Sequence, residues 1–186
     1  DVIQKVANYI SDPVQVARSK QFPHSYITAN SNVTNPLFKD ATNKAVDLSC
    51  GNIPNLGNRV CVIIDLSGSM NGVPADQAII FASAIIAAHK DSEVVDVVYF
   101  ASEAKLATNQ KDLNTRSKFA LAAARSRVGG GTDFASALKA IEGKTYDAVF
   151  IFSDGDVNPM DLKRANAAQK NAYKVVFNFR ASPTTP

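Results

Sequence analysis

Three oxygen-bearing side chains stand at alternate positions in one short stretch: Asp65, Ser67 and Ser69. They follow an apolar run at residues 60–64, which is rich in β-branched types. Such a run is typical of a strand buried on both faces, and the polar residues then lie just past its carboxyl end. Hard oxygen ligands suit a small divalent cation that keeps some of its waters. The stretch therefore predicts a metal site.

The segments around this stretch alternate between strand and helix patterns from residue 59 onward. Strands are predicted at 60–64, 94–100, 146–152 and 173–179, and helices at 73–90, 113–127, 134–141 and 159–171. Short, continuously apolar strands separated by helices indicate parallel pairing with helices on both faces of the sheet. The predicted class is an α/β, doubly wound, mostly parallel and Rossmann-like sheet flanked by helices, preceded by an N-terminal helical segment.

The first fifty-odd residues have a different, purely helical pattern. Helices are predicted at 2–10, from Pro13 up to Phe22-Pro23, and at 37–48, with a turn-rich joint at 30–36. Pro13 suits a first helical position, with Ser11 or Asp12 as the N-cap. We therefore divide the chain into a helical lead-in at 1–56, a principal domain at 57–180 and a frayed tail at 181–186.

Composition narrows the class of protein only moderately. The chain has 186 residues, a formal net charge of +3 and an apolar fraction of 46%, and no apolar run reaches the length of a membrane span. The two cysteines, Cys50 and Cys61, are expected to be reduced thiols, which favours a cytoplasmic location. Because the chain begins at Asp1 and not at Met, we expect it to be a piece of a longer protein.

Two further polar loops are predicted at the edge of the sheet where Asp65 lies. Thr132 follows three glycines at 129–131, and Asp154 follows the third strand. In open parallel sheets, ligands bind outside the carboxyl ends of the strands. The combination of Asp65-x-Ser67-x-Ser69, a glycine-preceded Thr132 and a strand-terminal Asp154 resembles the metal-ion-dependent adhesion site (MIDAS) of von Willebrand factor type A (VWA) domains. The resemblance extends over about 57–179.

That resemblance implies a ligand set for Mg²⁺, or for Mn²⁺ or Ca²⁺ in its place. Ser67 and Ser69 would bind the metal directly, Thr132 directly or through water, and Asp65 and Asp154 largely through water. Because hydroxyl ligands carry no charge, the metal keeps positive character and can accept a carboxylate or phosphate oxygen from a partner. Metal hydrolases instead use directly bound carboxylates or histidines and a base. We therefore predict a binding module and not an enzyme, with no catalytic residue.

Other polar residues near the stretch have structural explanations. Asp133 is expected to cap the helix that follows it, and Asp156 to be a turn residue beside Gly155. His24 and His89 are expected to be solvated or structural. A less favoured alternative is a phosphatase similar to haloacid dehalogenases, with Asp65 as nucleophile; Ser67 stands where that family requires a second Asp.

The helical lead-in carries a second, looser resemblance. Its motifs, Ile10-x-Asp12-Pro13-x-x-Val16-x-x-Ser19-Lys20-x-x-Pro23, Tyr26-x-x-Ala29 and Asn52-x-Pro54-x-x-Gly57-x-Arg59, are similar to the junction before the type A domain of Ro proteins, which carry an RNA-binding TROVE module. The resemblance implies the C-terminal part of a ribonucleoprotein component whose helical ring binds Y-type or misfolded RNA.

The basic residues of the chain do not by themselves predict RNA binding by this piece. They are scattered, and exposed helix charges are usually solvated; the residues concerned are Arg116, Lys118, Arg125, Arg127, Lys163 and Arg164. A second alternative therefore stays open, in which the domain is a protein-adhesion module that captures an acidic side chain of a protein partner.

Overall fold

A computed structural model describes residues 1–127, 130–155 and 159–179. The predictions for Gly129, for Asp156 and for the tail at 181–186 lie outside the described residues. By their internal contacts the residues group into two units, Asp1–Asn55 and Leu56–Pro186.

The first unit is helical, as predicted. It contains helices α1 (Val2–Ile10), α2 (Pro13–Ser19), α3 (Pro23–Asn32) and α4 (Pro36–Ser49). Asp12 caps α2 by accepting a hydrogen bond from the backbone N–H of Gln15 at 2.9 Å, and Pro13 occupies the first turn. The predicted N-cap and the predicted place of Pro13 at the start of α2 are therefore confirmed.

Helix α3 was not predicted, and the turn-rich joint was predicted to begin too early. The joint is shorter than predicted, because α3 runs to Asn32. The helix has few apolar residues and no clear amphipathic stripe, so periodicity gave no signal. A tertiary contact supports it instead: the amide of Asn30 donates to the Lys39 carbonyl at 2.9 Å and to the Thr42 hydroxyl at 2.7 Å, both on α4.

The second unit is built on a five-stranded sheet. Its elements are β1 (Arg59–Asp65), α5 (Val73–Ala88), β2 (Val94–Phe100), β3 (Ala104–Ala107), α6 (Arg116–Arg125), α7 (Phe134–Ala140), β4 (Ala148–Ser153), α8 (Pro159–Ala168) and β5 (Tyr173–Asn178). The strand order is β3-β2-β1-β4-β5, with β1, β2, β4 and β5 parallel. The predicted α/β class with a mostly parallel sheet is confirmed.

Helices cover both faces of the sheet. On one face, Cys61 and Ile63 of β1 belong to a buried cluster with Phe134 of α7 and Ala165 of α8. On the other face, Phe81 of α5 contacts the ring of Phe177 on β5, and Phe119 of α6 contacts Tyr99 on β2. Within the described part of the chain, no helix is long and apolar enough to cross a membrane.

Two elements of this unit differ from the prediction. The short edge strand β3 was missed; it pairs antiparallel with β2, directly after a turn in which Ala101 N–H donates to Glu103 O at 2.9 Å. Four residues with a central lysine carry too little pattern to predict a strand. Helix α6 begins later than predicted because Thr115 is its N-cap and accepts from Lys118 N–H at 3.3 Å.

The register brings the carboxyl ends of three strands to one edge. Asp65 of β1 lies opposite Phe100 of β2, and Ile64 lies opposite Phe152 of β4. The chain order along the sheet reverses between β1 and β4, which is the position where ligands bind in open α/β sheets. Residues that directly follow β1, β2 and β4 therefore share one crevice edge.

Candidate metal centre

Asp65 is held rigidly at the end of β1. Its side chain is fully buried. One carboxylate oxygen accepts a hydrogen bond from the Ser67 backbone N–H at 2.8 Å, and the other accepts from the Ser153 hydroxyl at 2.8 Å. Each oxygen has its own donor, one just after the end of β1 and the other at the end of β4. The carboxylate therefore has little freedom to turn. It is placed to support groups in the loop that follows it.

The hydroxyls of Ser67 and Ser69 lie side by side in the loop that follows Asp65. The loop tightens into a 3-10 turn at Gly68–Met70, which brings the two oxygens to 3.2 Å from each other. Ser67 is buried and Ser69 is exposed. Neighbouring oxygens of an octahedral Mg²⁺ site, with bonds of about 2.1 Å, are about 3 Å apart. The separation therefore matches two adjacent ligands of one small cation.

The loop that carries Thr132 is bonded to the same edge. Gly130 O accepts from Gly68 N–H at 3.2 Å, Gly131 N–H donates to the Ser102 hydroxyl at 2.9 Å, and Asp133 N–H donates to Ala101 O at 2.6 Å. These bonds join the loop to the residues after β1 and after β2. The half-buried Thr132 lies between two of these anchored residues.

Asp154 reaches the edge from β4. It is half-buried and directly follows Ser153, the partner of Asp65. Gly155, with φ of 86°, turns the chain immediately afterwards, and its N–H donates to the Ser153 hydroxyl at 3.2 Å. This left-handed backbone angle favours glycine. The structure thus places all five predicted residues at one edge of the sheet: Asp65 at the end of β1, and Ser67, Ser69, Thr132 and Asp154 on the loops there.

Comparison with protein families identifies the domain that carries these loops. A sequence model described as the von Willebrand factor type A domain matches residues 60–156, which is more than half of the chain. The chain belongs to the von Willebrand factor type A domain family.

A solved structure resembles the whole chain, helical unit and type A domain included. It is the crystal structure of the Deinococcus radiodurans RO (RSR) protein, with a TM-score of 0.68 and 19% sequence identity. The match covers 100% of this chain and 42% of that protein, so the chain spans less than half the length of this neighbour. At this identity the likeness shows the fold. A search of curated protein sequences found no match.

The electrostatics of the type A domain's polar edge fit a divalent cation. Burial raises the pKa of Asp65; hydrogen bonds from Ser67 and Ser153 act against this rise, and the negative charge of Asp154 adds to it. Among the described residues, no Lys, Arg or His forms an ion pair with Asp65. A buried carboxylate near a second carboxylate is costly unless a cation compensates for the charge. The donor set contains only oxygen, which is what Mg²⁺ and Mn²⁺ prefer.

Histidine and cysteine do not contribute to this edge. Within the described ranges, no group of three or more His, Cys, Asp or Glu side chains could hold a metal ion, so a metal here would depend on hydroxyl ligands. His24 is exposed in the helical unit. His89 is fully buried just past the end of α5, where Nε2 accepts from Leu56 N–H at 3.1 Å and Nδ1 lies 2.8 Å from Ile85 O. The structural role predicted for His89 is confirmed.

Two serines that were not predicted from the sequence support the candidate metal site. Ser153 binds the carboxylate of Asp65, and Ser102 anchors the glycine next to Thr132. Each stands within two residues of the end of a strand, Ser153 at β4 and Ser102 at β2. That position was the signal in the sequence that could have identified them. The predicted cap is also present: Asp133 accepts from Ser136 N–H at 3.3 Å at the start of α7.

Proposed function

We propose that this chain is a divalent-metal-dependent binding module. Ser67, Ser69 and Thr132 would hold Mg²⁺ or Mn²⁺, while Asp65 and Asp154 would act mainly through bound water. The observation that carries the proposal is the pair of Ser67 and Ser69 hydroxyls, 3.2 Å apart, in the loop that directly follows the buried Asp65 and bonds its carboxylate through Ser67 N–H. When bound, the metal would supply an electrophilic position for an oxygen of a partner.

The module would bind and not catalyse. Neutral hydroxyl ligands leave most of the metal's positive charge uncompensated, so the partner's carboxylate or phosphate would complete the coordination. The phosphatase alternative would need a second carboxylate at position 67, where this chain has a serine. Turnover of a generic phosphomonoester with Mg²⁺, abolished by Asp65→Asn, would overturn the binding-module proposal.

For the parent protein, we infer a Ro-like component that binds small structured or misfolded RNA in the cytoplasm. Two observations support this inference. The fold match to the RO (RSR) protein covers the entire chain and therefore includes the helical unit. The junction motifs between that unit and Arg59 also resemble those of Ro proteins. RNA binding by the ring of helical repeats would then be a property of the longer chain.

A protein-adhesion role is the second candidate. The same metal would accept a carboxylate oxygen from an Asp or Glu of a protein partner, and the exposed position of Ser69 leaves the metal loop accessible to either kind of ligand. The RNA-binding and protein-adhesion candidates differ in the group that the partner supplies to the metal, a phosphate or a carboxylate.

Calorimetric titration of the chain with Mg²⁺ and Mn²⁺ tests the metal site. We expect saturable binding that is lost in the Ser67→Ala, Ser69→Ala double variant. Ser83→Ala is the matched control, since Ser83 is a buried serine of α5 that bonds Ile80 O at 2.8 Å, within its own helix. Wild-type protein that takes up neither ion, or a double variant that binds as well as Ser83→Ala, would contradict the proposal.

A further inference from the structure

A strip of positive charge runs along the outer surface of α6. Residues 113–127 contain four Lys or Arg and no Asp or Glu. Lys118, Leu121 and Arg125 have the i, i+3, i+7 spacing of a single helix face, opposite the buried Phe119 and Ala123. All three are exposed, Leu121 by 52%. We call Lys118, Arg125 and the following Arg127 the basic strip.

The charges of the basic strip are not explained by ion pairing. In the part of the chain that the structure describes, the salt bridges are Arg59–Glu93, Lys144–Asp96 and Arg164–Asp161. None involves a residue of the strip. Of the basic residues named from the sequence, Arg164 is paired with Asp161 of its own helix, whereas the three cations of the strip are exposed and take part in none of these salt bridges.

Helix stability explains only part of the strip. Arg125 is in the last turn of α6, where a cation interacts favourably with the helix dipole. Lys118 is in the first turn, which has no acidic residue, and there a positive charge opposes the dipole. A cation at an unfavourable position, exposed and without an ion pair among the described residues, is more readily explained by a ligand than by folding.

Arg127 connects the basic strip to the metal loop. One of its terminal nitrogens donates to the Asn71 side-chain oxygen at 3.4 Å. Gly130 O accepts from Gly68 N–H at 3.2 Å. Gly68 and Asn71, which make these two contacts, stand on either side of the exposed Ser69 in the chain. The guanidinium of Arg127 is therefore bonded to the loop that carries the proposed metal ligands. The guanidinium has five N–H donors, and a single bond to Asn71 leaves several for an anion.

We propose that the basic strip and the metal loop form one binding surface for a phosphodiester chain, with Arg127 contacting a phosphate next to the metal. The inference rests on the proposed function, because it places the strip's ligand at the metal of that site. A phosphodiester chain carries a negative charge on every unit and so matches a line of separate cations. A single acidic side chain of a protein would need only the metal.

Fluorescence anisotropy with a labelled single-stranded oligouridylate, in Mg²⁺, tests this surface on the full chain. Arg127→Gln is compared with Lys90→Gln, which removes one exposed charge just past the end of α5, about 24 Å of helix away from the metal loop. The double variant Lys118→Gln, Arg125→Gln is compared with Lys90→Gln, Lys170→Gln, which removes two exposed charges at the opposite edge of the sheet.

We expect Arg127→Gln to weaken oligouridylate binding at least about threefold and the Lys118, Arg125 double variant to weaken it about tenfold. Each lost contact should also reduce the slope of log affinity against log salt concentration by about one. Both Lys90 controls should stay within about twofold of wild type, because a distant, solvated charge contributes only weakly through screening. Arg127→Gln should also bind Mn²⁺ in calorimetry as the wild type does.

The outcomes separate the inference from the proposed function. If the wild type binds no Mn²⁺, both fail. If it binds Mn²⁺ but Arg127→Gln and Lys90→Gln bind the oligonucleotide equally, the phosphodiester surface alone is overturned. If polyglutamate competes as strongly as an unlabelled oligouridylate of equal charge, the ligand is a carboxylate of a protein partner and the phosphate assignment is overturned.

Discussion

The Ser153 hydroxyl donates a hydrogen bond of 2.8 Å to Asp65, from a residue 88 positions away in the chain. Ser153 ends β4 and Asp65 ends β1, and these two strands are neighbours where the strand order reverses. The bond therefore helps to hold the carboxylate that precedes the loop of Ser67 and Ser69.

Removal of the Ser153 hydroxyl should weaken the metal site more than it weakens the fold. In Ser153→Ala, one oxygen of the buried Asp65 loses its donor, which costs about 1 kcal/mol of folding free energy. Because the carboxylate is then held by the Ser67 N–H without its second donor, we expect Mn²⁺ affinity to fall about tenfold, within the range for lost supporting contacts at metal sites. Ser83→Ala, which loses a comparable buried bond inside α5, should keep wild-type affinity. Equal metal affinities of the two variants in calorimetry would contradict the supporting role.

His89 should make the stability of the domain depend on pH below neutrality. Burial lowers the pKa of His89, although its hydrogen bond to Ile85 acts in the opposite direction. The unfolded chain therefore binds a proton, near pH 6.5, that the folded chain does not, so the unfolding free energy should fall as the pH drops from about 7 to about 5. This decrease of the unfolding free energy with falling pH should disappear in His89→Gln. It should remain in His24→Gln, which changes an exposed position.

Urea denaturation at several pH values checks this dependence. Between about pH 7 and about pH 5, the urea midpoint of His89→Gln should stay nearly constant, while the wild-type midpoint falls as the pH is lowered. An identical decline in His89→Gln and wild type would show that another group titrates in this range.

Neutralisation of Asp96, on β2, should lower the free energy of unfolding. It is buried on β2 and accepts three hydrogen bonds, from Asn109 N–H at 2.8 Å, Lys144 Nζ at 3.0 Å and the Tyr146 hydroxyl at 2.9 Å. Burial alone raises the pKa of Asp96, but these three donors outweigh it and hold the pKa below its usual value. Its contribution to stability is therefore present above about pH 4 and lost as the pH falls below that value.

We expect Asp96→Asn to lower the unfolding free energy by about 2 kcal/mol, because Lys144 loses its partner and the amide must reorganise three contacts. Tyr146→Phe, which removes one donor and keeps the charge, should cost about 1 kcal/mol. Urea denaturation at neutral pH measures both. A smaller loss in Asp96→Asn than in Tyr146→Phe would show that the ion pair with Lys144 contributes little.

The strands were predicted within about two residues of their observed ends because each buried strand is a continuous apolar run, a local property of the chain. The observed β2, Val94–Phe100, coincides with the predicted 94–100. Helix α3 and strand β3 were missed for the opposite reason. Their residues carry weak patterns, and each is supported by a neighbour, α4 or β2, that local periodicity does not show.

By itself, the sequence determined the α/β class, the positions of the main strands, and the cluster of Asp65, Ser67 and Ser69, because these follow from hydrophobic periodicity and from spacing over a few residues. Only the tertiary structure decided that Ser153 supports Asp65, that Ser102 anchors the Thr132 loop, and that Arg127 lies beside Asn71. Those contacts join residues 29 to 88 positions apart. They depend on strand order and register, which are set by how the elements pack together and not by any local pattern.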